Sequence, residues 1–260
     1  MATENEDGAA VRKIREQEFH ENLFAHDDGD RPANRFYAVA VGVGVQDFYQ
    51  GRVDRIQTGQ RVLELGCGLN SSGWELAGRE VHVTGIDVSE VAIEQAQKLA
   101  AERGLADYAT FIHMDAEALT FPDESFDVVL GNGILHHLDL DTALAEFRRV
   151  LAPRGWAAFK EPMGHNPFIN GYRKLTPNQR SDDEHPLLRS DLVTIAREFE
   201  DTDFQYFNLT DLLALGALKF RSFESIRSGL AKLDRQIFTR VPSAGRFGWM
   251  VGIEVHKPAA

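Results

Sequence analysis

From Arg61 onward the chain alternates short apolar runs with segments of helical period. RVLEL (61–65), VHVTGI (81–86), ATFIHM (109–114), FDVVL (126–130) and WAAFK (156–160) are rich in Val, Ile and Leu and are bounded by Gly or Pro. Runs of this length and composition predict strands buried on both faces. Between them, Ser89 is placed to cap a helix, Lys98 and Arg103 fall in its last turn, and Gly104 follows as its stop. Leu140, Ala143, Leu144, Phe147 and Leu151 recur at helical spacing, and Pro153 is expected to end that helix. Strand–helix alternation implies a parallel sheet with helices on both faces. Such a sheet binds its ligand at the carboxyl ends of the strands, near the topological switch point.

The flanks differ. Residues 11–24 and 35–50 predict helices joined by a polar turn over 26–34, after a frayed tail of roughly ten residues. Beyond Glu161 the pattern breaks. Residues 162–190 hold four of the nine prolines and no sustained period, which predicts a long functional loop. A strand over 203–209, a very apolar helix over 209–220 and a helix with Phe223, Ile226, Leu230, Leu233 and Ile237 on one face are expected next. Residues 249–256 alternate like a half-exposed strand. The chain thus divides into an N-terminal helical segment (1–50), a ligand-binding core (51–161), an insertion or lid (162–245) and a last strand (246–260).

Composition narrows the class. Hydrophobic residues make up 43% and charged residues 26%, as in ordinary soluble globular proteins. The lone Cys67 excludes an internal disulfide and argues against a thiolate zinc site. No run approaches a membrane span, and the acidic start MATENEDGAA is the reverse of a secretory signal, so a cytoplasmic location is expected. The net charge of −12 disfavours nucleic acid as a partner. It is unevenly placed: residues 1–150 carry 13 basic and 27 acidic side chains, residues 151–260 carry 15 and 13. The second part therefore tolerates an anionic ligand better than the first.

The strongest chemical signal is VLELGCGLN (62–70), a strand running into a glycine turn. Gly66 and Gly68 let the backbone turn tightly and approach a ligand. Asp87 closes the next strand, 21 positions after Gly66, where an acidic side chain accepts hydrogen bonds from ribose hydroxyls. The third strand ends in Met114-Asp115-Ala116 and the fourth is followed by Gly131-Asn132-Gly133. Each alone is a turn or a cap. Together, in register, they point to a nucleoside.

These residues resemble the class I S-adenosylmethionine-dependent methyltransferases, and most of all the branch that includes the ubiquinone and menaquinone methyltransferases. VLELGCGLN, GIDVS (85–89), HMDAEALTFPDESFDVVLGNGILHHL (113–138) and FRRVLAPRGWAAFKEP (147–162) carry the likeness, over roughly residues 60–162. It implies an α/β Rossmann-like fold, with a mostly parallel seven-stranded sheet and a C-terminal antiparallel strand. It implies S-adenosylmethionine as cofactor, its methionine part held by Glu64 and the backbone of Gly66, Cys67 and Gly68. Asp87 would take the ribose, Val88 would pack on adenine, Asp115 with Ala116 would read the adenine edge, and Asn132 would lie near the methionyl moiety. Asn70 stands where a third glycine is common. Tyr37, from the N-terminal helices, is a further candidate contact; those helices would close over the cofactor or form an interface in a homo-oligomer.

A base for the acceptor's proton is sought at the same rim. His136 and His137 follow the fourth strand, and Glu161 ends the fifth. No metal is expected, since no second histidine pair sits at helical ligand spacing. In the proline-rich insertion His165, Tyr172, Arg173, Arg180 and His185 are candidates to bind an anionic head group. With the apolar segment 209–220 they suggest a small, partly lipophilic acceptor, such as an isoprenoid, a quinone precursor or an aromatic acid, methylated on O, N or C. Two other readings stand beside this one. Gly66-x-Gly68-x-x-Ser71 with Asp87 partly fits an NAD(P)-dependent oxidoreductase. The fold also serves non-catalytic cofactor-binding proteins.

Overall fold

A computed structural model of the chain describes residues 2–26, 32–69, 71–176, 184–199 and 201–259, with the side chains of residues 2–9, 23–26, 32–40, 42 and 43 left aside. Seven strands form one sheet in the order β3-β2-β1-β4-β5-β7-β6. They are β1 (Arg61–Leu65), β2 (His82–Asp87), β3 (Ala109–His113), β4 (Phe126–Asn132), β5 (Leu151–Pro162), β6 (Asp201–Phe207) and β7 (Met250–His256). The first five are parallel; β7 runs antiparallel between β5 and β6. The chain reverses its strand order between β1 and β4, so the switch point lies beside the glycine turn after Leu65.

Successive side chains of β1 explain the layering. Leu63 and Leu65 face a core completed by Phe147 of α5 (Leu140–Val150) and Ile195 and Phe199 of α7 (Arg189–Glu198) and its end. Val62 faces the other way, with Val83, Val128 and Leu130, onto Phe48, Tyr49 and Val53 of α2 (Pro32–Val53) and Leu76 of α3 (Gly73–Ala77). Helix α4 (Glu90–Glu102) begins as expected: the Ser89 side chain accepts from Ala92 N–H. Helix α1 (Ala2–His26) lies beside α4.

Several expectations need correction. The first residues are not a frayed tail but continue α1, while residues 27–31, most of the expected polar turn, lie outside the described ones. Helix α5 stops at Val150, and Pro153 sits in the irregular start of β5, where the register with β4 slips between Phe126 and Val128. The supposed loop 162–190 holds α6 (Pro167–Leu175), capped by Asn166, whose side chain accepts from Phe168 and Ile169 N–H, and the start of α7. Residues 211–217 form a 3-10 coil, with Leu213 61% exposed, rather than a core helix. Its start is tied to α8 (Phe223–Arg240), where Asp234 accepts from the backbone N–H of Leu209, Thr210 and Asp211 and from the Thr210 hydroxyl. Finally, β7 is buried on both faces apart from His256; the half-exposed strand is β6, at the edge.

Candidate active site

Gly66 and Gly68 follow β1 with φ of +62° and +46°, the left-handed region that favours glycine. A β-carbon on Gly66 would come within 2.8 Å of the Ile134 side chain, so the turn also packs tightly against the segment after β4. Asp87, at the end of β2, holds this turn in place. One carboxylate oxygen accepts from Gly68 N–H and the other from Ser89 N–H, both at 2.9 Å. Each oxygen keeps a second lone pair, and the residue reaches the cleft.

The cleft is a cavity of about 510 Å³ at the carboxyl ends of the strands, the size of small-molecule sites. Gly66, Gly68, Asp87, Val88, Asp115, Ala116, Asn132 and His137 all line it. The strand register accounts for this: Leu65 pairs with Ile86 on one side and Gly131 on the other, and Asp87 pairs with His113. Asp115 accepts from Glu117 N–H at 2.8 Å and binds Lys13 at 2.6 Å.

Other sequence-expected residues stand back from it. Glu64 is 4% exposed and accepts from the Ser71 hydroxyl and from Ser72 and Gly73 N–H. Burial raises its pKa, against the pull of those bonds. Cys67 is buried among Ala77, Ile93 and Phe111, and burial pushes its thiol pKa up, which leaves it unreactive. Asn70 and Arg180 lie outside the described residues, and Tyr37 belongs to α2 with its side chain outside them.

Glu161 is fully buried. One oxygen accepts from Ile134 and Leu135 N–H (2.9 and 3.0 Å); the other shares a hydrogen bond with His136 Nδ1 at 2.7 Å. Burial carries its pKa to about 7, although the backbone donors oppose that. His136, itself buried, has its pKa well below the usual range, through burial first and then the neighbouring His137. Both therefore lie behind the cleft wall, and His137 alone of the three candidate bases lines it. His165, Tyr172, Arg173 and His185 do not line it either. His165 Nε2 accepts from Arg189 N–H, and His185 N–H donates to the His136 carbonyl, while Arg173 lies close enough to depress His136 further.

The N-terminal helices were expected to close over this cleft with Tyr37 as the contact; the α1 residues that line it were not among the candidates. Arg12, Lys13, Glu16, Gln17 and His20 line the cavity, and their spacing places them on one helix face. Arg12 binds Glu117 at 2.6 Å and the His137 carbonyl at 2.5 Å; Lys13 also reaches Glu117 at 2.9 Å. Glu117, buried in the DAE triplet after β3, additionally accepts from Asp139 N–H.

Comparisons with known proteins agree with this geometry. Residues 62–155 match the methyltransferase domain family. The chain is 39% identical over 119 residues to aklanonic acid methyltransferase DauC of Streptomyces sp. (strain C5), covering 43% of this chain and 54% of that protein. It is 30% identical over 179 residues to the demethylmenaquinone methyltransferase of Listeria welshimeri, covering 58% of this chain and 73% of that one. The chain belongs to the class I S-adenosylmethionine-dependent methyltransferases. The fold agrees: phosphoethanolamine N-methyltransferase 2 of Haemonchus contortus, solved in complex with S-adenosyl-L-methionine, superposes with a TM-score of 0.61 at 18% identity, over 92% of this chain and 60% of that one. This family member spans about half or less of the first curated relatives it matches, 54% of DauC being the largest share among the first four. Family membership removes the support for a nicotinamide oxidoreductase. No helix among the described residues is long and apolar enough to cross a membrane.

Proposed function

We propose that the chain transfers a methyl group from S-adenosylmethionine to a small, partly lipophilic acceptor. One observation carries this reading: four neighbouring strand ends bring Gly66, Gly68, Asp87, Asp115 and Asn132 onto a single cavity. When bound, the cofactor supplies an electrophilic methyl group on a sulfonium. Asp87 would accept from the ribose hydroxyls with its remaining lone pairs, and Asp115 with Ala116 would meet the adenine edge. Val88 would pack on the base, and Asn132 and the Gly66–Gly68 backbone would flank the methionyl part. Glu64 contributes by holding residues 71–73, and through them the floor of the turn.

Methyl transfer is an in-line displacement, so alignment matters more than covalent help from the protein. His137 faces the acceptor side, while Glu161 and His136 form a buried pair behind it that fixes residues 134–136. Helix α1 is held along the cavity by the Arg12–Glu117 and Lys13–Asp115 pairs. The acceptor class follows the curated relatives, whose names refer to aklanonic acid, a sterol, a demethylrifamycin and demethylmenaquinone. Incubation with methyl-labelled cofactor and a panel of lipophilic acids, phenols and prenyl compounds tests the reading. Label in an extracted product supports it; binding of S-adenosylhomocysteine with no label transferred to any acceptor would favour a non-catalytic protein.

A further inference from the structure

Helix α1 places Glu16 and His20 one turn apart, and the fold brings His137, from the turn after β4, against both. Glu16 Oε2 lies 3.0 Å from His137 Nδ1 and 3.6 Å from His20 Nε2. One ligand atom from each of the three residues lies within 4.8 Å of the other two. The side chains are largely shielded, at 7%, 23% and 12% exposure for Glu16, His20 and His137. His137 Nδ1 is buried and makes no hydrogen bond among the described residues, because the nearby Glu16 oxygen is out of line for one. Two polar atoms that close and not aimed at each other suit a shared third body. The edges of a tetrahedron around zinc, with bonds of about 2.0–2.2 Å, are about 3.3 Å, close to the two separations seen.

We propose that Glu16, His20 and His137 form a binding site for a divalent transition-metal ion at the β4 side of the cleft, one that ties α1 to the core. Two imidazoles and one carboxylate suit zinc or cobalt; magnesium and calcium favour all-oxygen sets. The nearby cations do not oppose the ion as free charges, since Arg12 is paired with Glu117 and Lys13 with Asp115 and Glu117. Three protein ligands leave a fourth position open, as in catalytic rather than structural sites. All three residues line the cavity, so that position faces it. An oxygen of the acceptor would fill it and be held beside the donor methyl group; this role rests on the proposed methyl transfer, whereas the ion site does not.

The test needs no cofactor. The full chain, stripped with a chelator, is titrated with cobalt chloride while visible absorption is followed, and with zinc chloride by calorimetry. One equivalent of tetrahedral or five-coordinate cobalt is expected, with no heat from magnesium chloride. Glu16→Gln and His20→Gln are expected to weaken zinc binding at least roughly 10- to 100-fold, the loss usual even for residues behind a ligand, with helix content by circular dichroism unchanged. No saturable uptake, or wild-type affinity in both variants, would overturn the site. His136, His137 and Glu184 also lie within reach of one another, so zinc binding lost in Glu184→Gln but kept in Glu16→Gln would overturn it as well. A parallel titration with S-adenosylhomocysteine separates the two readings: a chain that binds the nucleoside but no metal refutes only the ion site.

Discussion

Replacing Asp87 by Asn keeps the shape of the side chain and changes one atom. In the wild type both carboxylate oxygens accept a backbone N–H, from Gly68 and from Ser89, at 2.9 Å each. An amide has one oxygen; its NH₂ must face the other N–H, donor against donor. One charge-assisted hydrogen bond is lost at a site only 8% exposed, which costs about 1.5–3 kcal/mol. The same carboxylate is proposed to accept from the ribose, so affinity for S-adenosylhomocysteine should fall by a similar free energy, roughly 10- to 100-fold. Urea unfolding measures the first effect and isothermal calorimetry the second. Asp107→Asn, on the exposed turn after α4, serves as a control and should stay within about 0.5 kcal/mol. If Asp87→Asn unfolds at the wild-type midpoint and binds the nucleoside as tightly, Asp87 neither holds the turn nor contacts the ligand, and the reasoning fails.

Gly66→Ala forces a β-carbon residue to φ +62° and toward Ile134 at 2.8 Å; unfolding should show a loss of at least about 1–2 kcal/mol, with weaker nucleoside binding by calorimetry. Lys160 is buried, and desolvation lowers its pKa to about 8 against the pull of Glu161. Between pH 8 and its ordinary 10.5 the unfolded chain carries a proton the folded one has shed, so stability from this group rises with pH across that window and is lost as pH falls through 8. Lys160→Met should be less pH-dependent than wild type when urea midpoints are compared there, and parallel profiles would contradict the assignment. The double variant Arg12→Ala, Lys13→Ala removes the ion pairs of α1 with Asp115 and Glu117. Backbone amides of residues 12–20 should then exchange with deuterium roughly tenfold faster, as loss of about 1.4 kcal/mol implies, while those of β1 stay unchanged.

What the sequence could reveal follows from where each signal originates. The parallel strands were legible from their short apolar runs; β1, buried but for Arg61, matches RVLEL, and β3 falls within a residue of ATFIHM although, at the sheet edge, it is not buried on both faces and exposes Thr110 and His113. Asp87, Asp115 and Asn132 were legible because a parallel sheet puts its strand ends on one rim. That the N-terminal helices cover the cleft was expected, but which α1 residues face it was hidden, for the opposite reason. The face that α1 turns to the cleft presents Arg12, Lys13, Glu16 and His20, and in sequence such a face looks like one meant for water. The placement of Glu161 was likewise unreadable, because only the path of residues 134–136 reveals that their N–H groups and the His136 ring enclose it. Helix α7 was overlooked although Leu192, Ile195 and Phe199 recur with helical spacing; its role becomes plain only through Phe199, whose ring stacks on Phe147 at 5.4 Å. The 209–220 segment misled because hydrophobicity and length favour a core helix, while its anchorage, Asp234 accepting from the Leu209, Thr210 and Asp211 N–H groups, comes from a residue distant in sequence.

The central claim is that the ends of β1 to β4 grip an adenosyl group. Diffraction from the chain co-crystallised with S-adenosylhomocysteine tests it most directly. The account predicts the ribose hydroxyls on Asp87 and the adenine between Val88 and Asp115, inside the cavity capped by α1. A nucleoside bound elsewhere, or no nucleoside at saturating concentration, would contradict it.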